Sequence, residues 1–536
     1  MTSLNYTYIV MRESDTRNSN KQATSACVSR RGFITACSAC AACLAFRPGS
    51  FLTPSAKVPG QETKMKIRIL YSLHAPVQTQ PDWPNVGFDF NPVMEKINNA
   101  MTCSFPEFEF LHSMAAGQED AEKIVQQDQQ QNIGGYIVYQ MNCWNRVVQT
   151  VAKTGKPILY ADLQFAGSGG FLVYTATFLD NNTPNVGFVA SSKMEDVIAA
   201  VSCFNLVKNG GSAADFVKAT ERVRTGSTPA ARNHKVHPNE IRFLSPEDCT
   251  RQLSASRIIA VKDQSASIAE PVMGIPVEYI PFAEVNDAWS RADKGLSAEI
   301  AGGWQKSALE VVGVNYETLL TSAAMYLGMK EVLKKHRANA ITVNCLGGFY
   351  GGHIHAYPCL GFHELCNEGL IGACECDISS TATMLAFNTL TGGRPGFISD
   401  PVIDTAKRQI IYAHCVAPNR IFGPDGKTNP YRIMTHSEDR AGASVQSVLP
   451  VNYMTTTLEI NNQRKEILMH QAVAVDNDPD DRACRTKLCA EPVGDIEKLF
   501  TMWGKWGWHR VTFYGDLKEP VLSLADATGW KVIQEA

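Results

Sequence analysis

Two carboxylates and an imidazole between residues 368 and 415 are the groups in this sequence best suited to hold a divalent ion. Glu375, Asp400 and His414 each fall at the end of a short run of strand-forming residues. Carboxylate and imidazole ligands suit hard to intermediate ions such as Mn²⁺, Mg²⁺ or Co²⁺. A positioned carboxylate can also take up and return a proton. These residue types therefore predict metal-assisted proton transfer.

A strand, a helix and a second strand would have to position the two carboxylates. Residues 370–374 are apolar, Asp377 is a favourable N-cap, and the glycines and proline at 392–395 end a segment with helical apolar spacing. A unit of this length fits a parallel crossover, in which groups past the carboxyl ends of adjacent strands face one crevice. We therefore expect Glu375 and Asp400 to converge. The alternative is a chance pair, since 53 of the 536 residues are acidic.

The four residues from Cys374 to Asp377 alternate between thiols and carboxylates. If they continue the strand in extended form, the carboxylates share one face and the thiols share the other. The cysteines are then interpreted as small buried packing residues and not as ligands.

The run CNEGLIGACECD, followed by a helix, GFISD and AHC, resembles the L-fucose isomerase and L-arabinose isomerase superfamily. The chain end GWHRVTFYGD, residues 507–516, is similar to the histidine and strand near the end of those enzymes. The resemblance implies Glu375, Asp400 and His509 as metal ligands, with His414 matching an extra histidine of the arabinose branch. It further implies Glu375 and Asp400 as the acid/base pair, Mn²⁺ or a similar ion, and a trimer or hexamer.

The first sixty residues differ from the rest and predict an export signal. Arg30 and Arg31 precede a mildly hydrophobic run of about fourteen residues, which is too short to span a bilayer. A twin-arginine pair before such a run is typical of a Tat signal. We expect the Tat machinery to be a partner and the cleaved protein to be periplasmic or secreted; a cytoplasmic location is the alternative.

Composition excludes several classes of protein. The net charge of −3 gives no basic field for nucleic acid. No later run is long and apolar enough for a membrane anchor. Twelve of the 16 cysteines lie after the signal, a density and spacing that predict neither a disulfide scaffold nor a CxxC zinc site.

The rest of the chain predicts an α/β fold with two Rossmann-like parallel-sheet domains followed by a β-rich C-terminal domain. After the signal at 1–60, the domains are expected at 61–205, 206–395 and 396–536. The strands and helices on which this depends are predicted at 66–72, 121–131, 135–140, 145–154, 157–161, 257–261, 316–336, 341–345, 410–414, 443–449, 453–460 and 467–475. The glycines at 167–170 match no phosphate-binding motif and predict a flexible loop.

Three further histidines carry weaker predictions. His353 and His355 are two residues apart, so an extended segment points both the same way, toward a metal or a substrate. His436 lies in a polar loop at 435–438 that could line the site. Nothing local decides these roles.

The leading functional prediction is a metal-dependent aldose-ketose isomerase of a monosaccharide or sugar derivative, acting through an enediolate. One alternative is another metal-dependent sugar reaction, such as epimerisation or cleavage, because one fold hosts several chemistries. Another is a non-catalytic exported sugar-binding protein, against which the two carboxylates and His509 argue.

Overall fold

The first half of the chain alternates strands and helices and forms a parallel sheet. The structure, a computed structural model, describes residues 64–536; the predicted signal lies outside them. All five strands are parallel, in the order β2-β1-β3-β4-β5, which confirms the α/β prediction here. The strands are β1 (Met65–Ser72), β2 (Phe108–Ala115), β3 (Ile133–Gln140), β4 (Ile158–Asp162) and β5 (Val186–Val189).

Seven helices accompany this sheet. The glycines at 167–170 were predicted as a flexible loop, and this prediction is wrong because Ser168 to Gly170 form the first turn of a helix. The helix packs closely at Gly169, where an added Cβ would lie 3.1 Å from both Cys143 and Trp508. The helices are α1 (Asn91–Ser104), α2 (Gln118–Asp128), α3 (Val147–Ala152), α4 (Ser168–Asp180), α5 (Met194–Val201), α6 (Phe204–Lys208) and α7 (Ala213–Ser227).

A second five-stranded sheet follows, in the order β11-β10-β6-β8-β7. Four of its strands are parallel, whereas the edge strand β7 is antiparallel to β8, so the sheet is mixed and not purely parallel. Its strands are β6 (Ile258–Lys262), β7 (Ser267–Val272), β8 (Ile275–Pro281), β10 (Ala340–Val343) and β11 (Ile371–Ala373), while β9 (Val311–Val312) pairs elsewhere.

The long helix of this region has the predicted bounds, residues 316–336. The Asn315 side chain accepts the N–H of Thr318 at the start, and Arg337 ends the helix in a left-handed conformation. The helices are α8 (Pro246–Ala255), α9 (Phe282–Ser290), α10 (Lys294–Ser307), α11 (Tyr316–His336), α12 (Cys345–Tyr350), α13 (Cys359–Asn367) and α14 (Ile378–Leu390).

The C-terminal region is β-rich, as predicted, and contains a closed antiparallel barrel of six strands in the order β16-β19-β12-β13-β18-β17, with β17 returning to β16. The barrel strands are β12 (Phe397–Asp404), β13 (Gln409–His414), β16 (Met454–Asn461), β17 (Glu466–Asn477), β18 (Thr486–Pro492) and β19 (Arg510–Tyr514). β14 (Tyr431–Met434) lies between β15 (Ser444–Ser447) and β9 in a small three-stranded sheet. The other elements are helix α15 (Lys518–Thr528) and β20 (Lys531–Gln534), which lies beside β17.

The prediction of a parallel crossover between the strands next to Glu375 and Asp400 is wrong. Strand β11 lies in the second sheet and β12 lies in the barrel, so the two strands are not neighbours. Gly392 and Gly393 both have positive φ and turn the chain after α14 toward the barrel. Asp400 also lies in the middle of β12 and not at its end.

The described residues 64–536 pack as one compact unit, and the predicted domain boundaries stay a prediction. One hydrophobic core joins the second sheet to the barrel; within it, Phe387 of α14 packs against Phe513 of β19 with ring centroids 6.0 Å apart. Within residues 64–536, no helix is both long and apolar enough to cross a membrane.

Candidate metal centre

Neighbouring barrel strands bring three of the predicted ligands together. Asp400 on β12 lies opposite Ala413, which places His414 beside it. Ser399 pairs with Arg510, so His509, directly before β19, lies on the other side of Asp400. Glu375 reaches the same point from the turn between β11 and α14.

The four predicted ligands form one compact cluster. Each of Glu375, Asp400, His414 and His509 offers one ligand atom, and these atoms all lie within 4.8 Å of one another. His509 Nε2 is 3.2 Å from Asp400 Oδ1 and 3.5 Å from Glu375 Oε2. The ring centroids of His414 and His509 are 5.7 Å apart. The structure therefore brings together the four residues that the family resemblance implies as ligands.

The segment that carries Glu375 is not extended, contrary to the prediction. Glu375 and Cys376 have φ of 63° and 55°, in the left-handed region, so the expected alternation of side chains does not hold. Glu375 and Asp377 nevertheless both reach His509, on opposite nitrogens of its ring. Cys374 is buried and Cys376 is half-buried.

Asp377 fixes the orientation of His509. The His509 Nδ1 donates to Asp377 Oδ2 at 2.8 Å, so in the neutral ring the Nε2 lone pair faces Glu375 and Asp400. Asp377 is itself held as the N-cap of α14, where it accepts the backbone N–H and the hydroxyl of Ser380. A carboxylate behind a histidine is the usual outer partner of a metal-binding imidazole.

His414 is held differently from His509. Its Nδ1 accepts the backbone N–H of Cys415 at 3.0 Å. The neutral ring therefore carries its proton on Nε2. This arrangement favours His414 as a hydrogen-bond donor to the contents of the site, and its role as a ligand stays a prediction.

The charges of the cluster stabilise one another. Burial opposes ionisation, yet Glu375, Asp377 and Asp400 together raise the pKa of His509 well above its ordinary value. Burial likewise opposes ionisation of Asp400, but His414 and His509 outweigh it and lower the pKa of that carboxyl. The carboxylates thus favour positive charge at this point, either as a proton on His509 Nε2 or as a bound cation in the place of that proton.

The donor set fits a divalent ion. Asp400 Oδ1, His414 Nε2 and His509 Nε2 are buried and have no hydrogen-bond partner. Buried polar atoms without partners are rare and costly, and a bound ion would satisfy the oxygen of Asp400 and the lone pair of His509. Oxygen and imidazole ligands without thiolate match Mn²⁺, Mg²⁺ or Co²⁺.

The other predicted histidines lie outside this cluster. His353 and His355 are exposed on either side of buried Ile354, and their rings pack near Phe282 and Trp289. Within the described residues, neither belongs to a group of potential ligands. Contact with a substrate stays a prediction for both.

The polar loop at 435–438 contacts neighbours of the cluster through Ser437. The Ser437 hydroxyl lies 3.5 Å from Cys415 Sγ and 3.8 Å from Cys484 Sγ. His436 pairs with Asp439, with 3.1 Å between Nδ1 and Oδ1. The Glu438 carboxylate accepts the hydroxyl of Tyr350 at 2.8 Å. Burial raises the pKa of Glu438 to about 8. The role of His436 in substrate contact stays a prediction.

Sequence reasoning missed the thiol that touches a proposed ligand. Cys484 Sγ donates to Asp400 Oδ2 at 3.7 Å across a separation of 84 residues. No local pattern signals such a contact. Asp377, by contrast, had a local signal, because it lies two residues after Glu375 and directly before α14.

Comparisons with known proteins point to sugar isomerases, and no protein-family model matches the chain. A sulfoquinovose isomerase of Priestia megaterium (strain ATCC 12872 / QMB1551) is 24% identical over 210 residues, which cover 35% of this chain and 47% of that protein. A sulfoquinovose isomerase of Clostridium sp. (strain MSTE9) is 26% identical over 212 residues, which cover 38% and 45%. The chain thus spans about half the length of the relatives that it matches.

Among solved structures, a chain of the XylFII-LytSN complex is 12% identical, with a TM-score of 0.15. The match covers 54% of this chain and 85% of that chain. A TM-score this low supports no argument about fold or function.

Proposed function

We propose that this protein is a metal-dependent aldose-ketose isomerase that acts on a monosaccharide or a sugar derivative. The observation that carries the proposal is the cluster of Glu375, Asp400, His414 and His509, with its buried unpartnered atoms. The matches to proteins named sulfoquinovose isomerase support the same reaction class.

Glu375, Asp400 and His509 would hold the ion. Asp400 suits this role because it is buried and because neighbouring imidazoles lower its pKa, so it stays ionised. His509 suits it because Asp377 holds the ring proton on Nδ1. When bound, the ion supplies a positive charge that polarises adjacent substrate oxygens and lowers the pKa of a hydroxyl.

Glu375 is the best-placed carboxylate for proton transfer. Its side chain is 30% exposed, whereas that of Asp400 is 7% exposed, so a substrate can reach Glu375 directly. In the proposed reaction Glu375 removes the proton from the carbon beside the carbonyl and returns it to the former carbonyl carbon. The hydroxyl proton moves between the two oxygens, so the product is an isomer of the substrate. Asp400 is the second member of the predicted acid/base pair.

His414 would donate from Nε2 to a substrate oxygen in the cluster, consistent with its Nδ1 accepting the N–H of Cys415. This role needs no change of ring orientation. Asp377 keeps His509 oriented throughout the reaction.

The test is a panel of aldoses and ketoses, including sulfoquinovose, incubated in D₂O with purified protein and Mn²⁺ and followed by NMR. We expect interconversion of at least one aldose-ketose pair, with deuterium entering at the carbon beside the carbonyl. Inversion of a stereocentre or cleavage of a carbon-carbon bond would contradict isomerisation and identify one of the alternative sugar reactions. Binding of sugars without any turnover would refute the enzymatic proposal.

A further inference from the structure

A chain of three buried side chains ends on the carboxylate of Asp400. The Cys415 thiol donates to Ser437 Oγ at 3.5 Å, and the Ser437 hydroxyl donates to Cys484 Sγ at 3.8 Å. The Cys484 thiol donates in turn to Asp400 Oδ2 at 3.7 Å. All three side chains are at most 5% exposed. We call these three residues the thiol chain.

The thiol chain leaves one oxygen of Asp400 free and holds the other. Asp400 Oδ2 accepts from Cys484, whereas Oδ1 has no partner and lies 3.2 Å from His509 Nε2. A carboxylate held through one oxygen presents the other at a defined position. The Cys484 sulfur lies within donating distance of the Asp400 carboxylate, and its single proton can be donated to Oδ2.

The backbone around Cys484 is fixed by contacts with the first α/β region. Ala483 has a φ of 57°, which is uncommon for a residue with a side chain, and its N–H donates to Pro84 O at 3.1 Å. Two residues after Cys484, Thr486 pairs with His414 at the start of β18. These contacts fix the backbone position of Cys484 beside Asp400, and the burial of the side chain leaves the sulfur little room for other rotamers.

The same chain also reaches the second imidazole. Cys415 begins the thiol chain with its sulfur, and its backbone N–H donates to His414 Nδ1. The thiol chain thus contacts two of the four cluster residues: Cys415 contacts His414, and Cys484 contacts Asp400.

We propose that Cys484 is a positioning residue of the metal centre: its thiol holds Asp400 Oδ2 so that Oδ1 alone faces the ion. A thiol is a weak donor, so it orients the carboxylate while withdrawing little of its negative charge. This inference rests on the proposed metal centre. It adds to that centre a residue that acts through Asp400 and is not itself a ligand.

Cys484→Ala, Cys484→Ser and Cys489→Ala form the matched set that tests this role. Cys489 lies on β18, is 2% exposed and belongs to the same small apolar cluster as Cys484, but it pairs with Ile411 and not with a ligand. Cys489→Ala therefore removes the same thiol from the same packing environment. Cys484→Ser keeps a donor at the critical position.

The measurement is the Kd for Mn²⁺ by titration calorimetry, with thermal unfolding recorded for each variant. We expect Cys484→Ala to raise the Kd by about tenfold, within the range of outer-sphere changes at metal sites, and Cys484→Ser to restore most of the loss. Cys489→Ala should leave the Kd unchanged even if it lowers the melting temperature.

Two results would overturn the proposal, and they are distinguishable. Wild-type protein that binds no Mn²⁺ refutes the metal centre and the role of Cys484 together. Wild-type protein that binds Mn²⁺, with Cys484→Ala binding equally well or Cys489→Ala losing as much, refutes the role of Cys484 alone. If Cys484→Ala does not fold, Cys484→Ser decides: affinity near that of the wild type supports the proposal, and a loss of tenfold or more contradicts it.

Discussion

Asp377 accepts the Nδ1 proton of His509 at 2.8 Å while it caps the first turn of α14. A single carboxylate thus joins the start of a helix to the orientation of a ring in the candidate metal centre. The other nitrogen of the ring faces Glu375 and Asp400.

Replacing Asp377 by Asn should weaken Mn²⁺ binding by about 10- to 100-fold. The amide keeps an acceptor for the helix cap but removes the charge that makes the imidazole a strong ligand. Calorimetric titration checks this prediction. Asp293→Asn is the matched control, because Asp293 caps α10 in the same way and belongs to no ligand cluster within the described residues. Equal affinities for both variants would contradict the role given to Asp377.

Replacing Glu375 by Gln should reduce turnover of the converted sugar by at least about 10² to 10⁴, the usual worth of general acid-base catalysis. Loss of a charged ligand adds to this effect. Cys374→Ser changes a buried neighbour that lies outside the ligand cluster and should keep most activity. Both are measured in the same NMR assay. If Glu375→Gln turns over normally while Cys374→Ser is inactive, the mechanism depends on a thiol and not on the carboxylate.

A second buried charge network inside the barrel should make stability depend on acid. Glu535 is 1% exposed and accepts hydrogen bonds from Arg510 and His470, each at 2.7 Å. Burial opposes its ionisation, but Arg510 and His470 outweigh this and lower the pKa of Glu535 from 4.5 to about 2.

Because the folded-state pKa is the lower one, this carboxylate stabilises the fold above about pH 4.5, and the contribution is lost as pH falls toward 2. At about 1.4 kcal/mol per pKa unit, the loss is on the order of 3 kcal/mol. Glu535→Gln should remove this part of the pH dependence of the free energy of unfolding, as measured by denaturant titration. Glu519→Gln, an exposed glutamate on α15, should leave it in place; the same pH dependence in all three proteins would contradict the account.

Much of the local structure follows from sequence pattern. Helix α11 has the predicted bounds because its cap residues and apolar spacing agree, and the strands at 66–72 and 135–140 were predicted within two residues. The resemblance to the isomerase superfamily implies all four cluster residues, and the structure brings them together. Their roles as ligands stay a prediction until an ion is measured.

The way in which Glu375 and Asp400 meet could not be predicted from local pattern. The sequence of an apolar strand does not indicate which sheet the strand joins. β12 was therefore predicted beside β11, whereas it belongs to the barrel. The barrel closes through pairing of β16 with β17 and of β12 with β19, and the second pair is separated by more than a hundred residues. Cys484 was missed for the same reason, because its contact with Asp400 exists only in the closed barrel.

Manganese binding tests the central claim most directly. Purified protein, stripped with a chelator and titrated with Mn²⁺ under electron paramagnetic resonance, should bind one ion per chain. Asp400→Asn and His509→Gln should each weaken binding by more than about 100-fold, beyond the range of outer-sphere changes. Asp404→Asn, a buried aspartate four residues further along β12, should bind as the wild type does. No binding by the wild type, or a thiolate charge-transfer signal from Cys374 or Cys376 on titration with Co²⁺, would contradict the account.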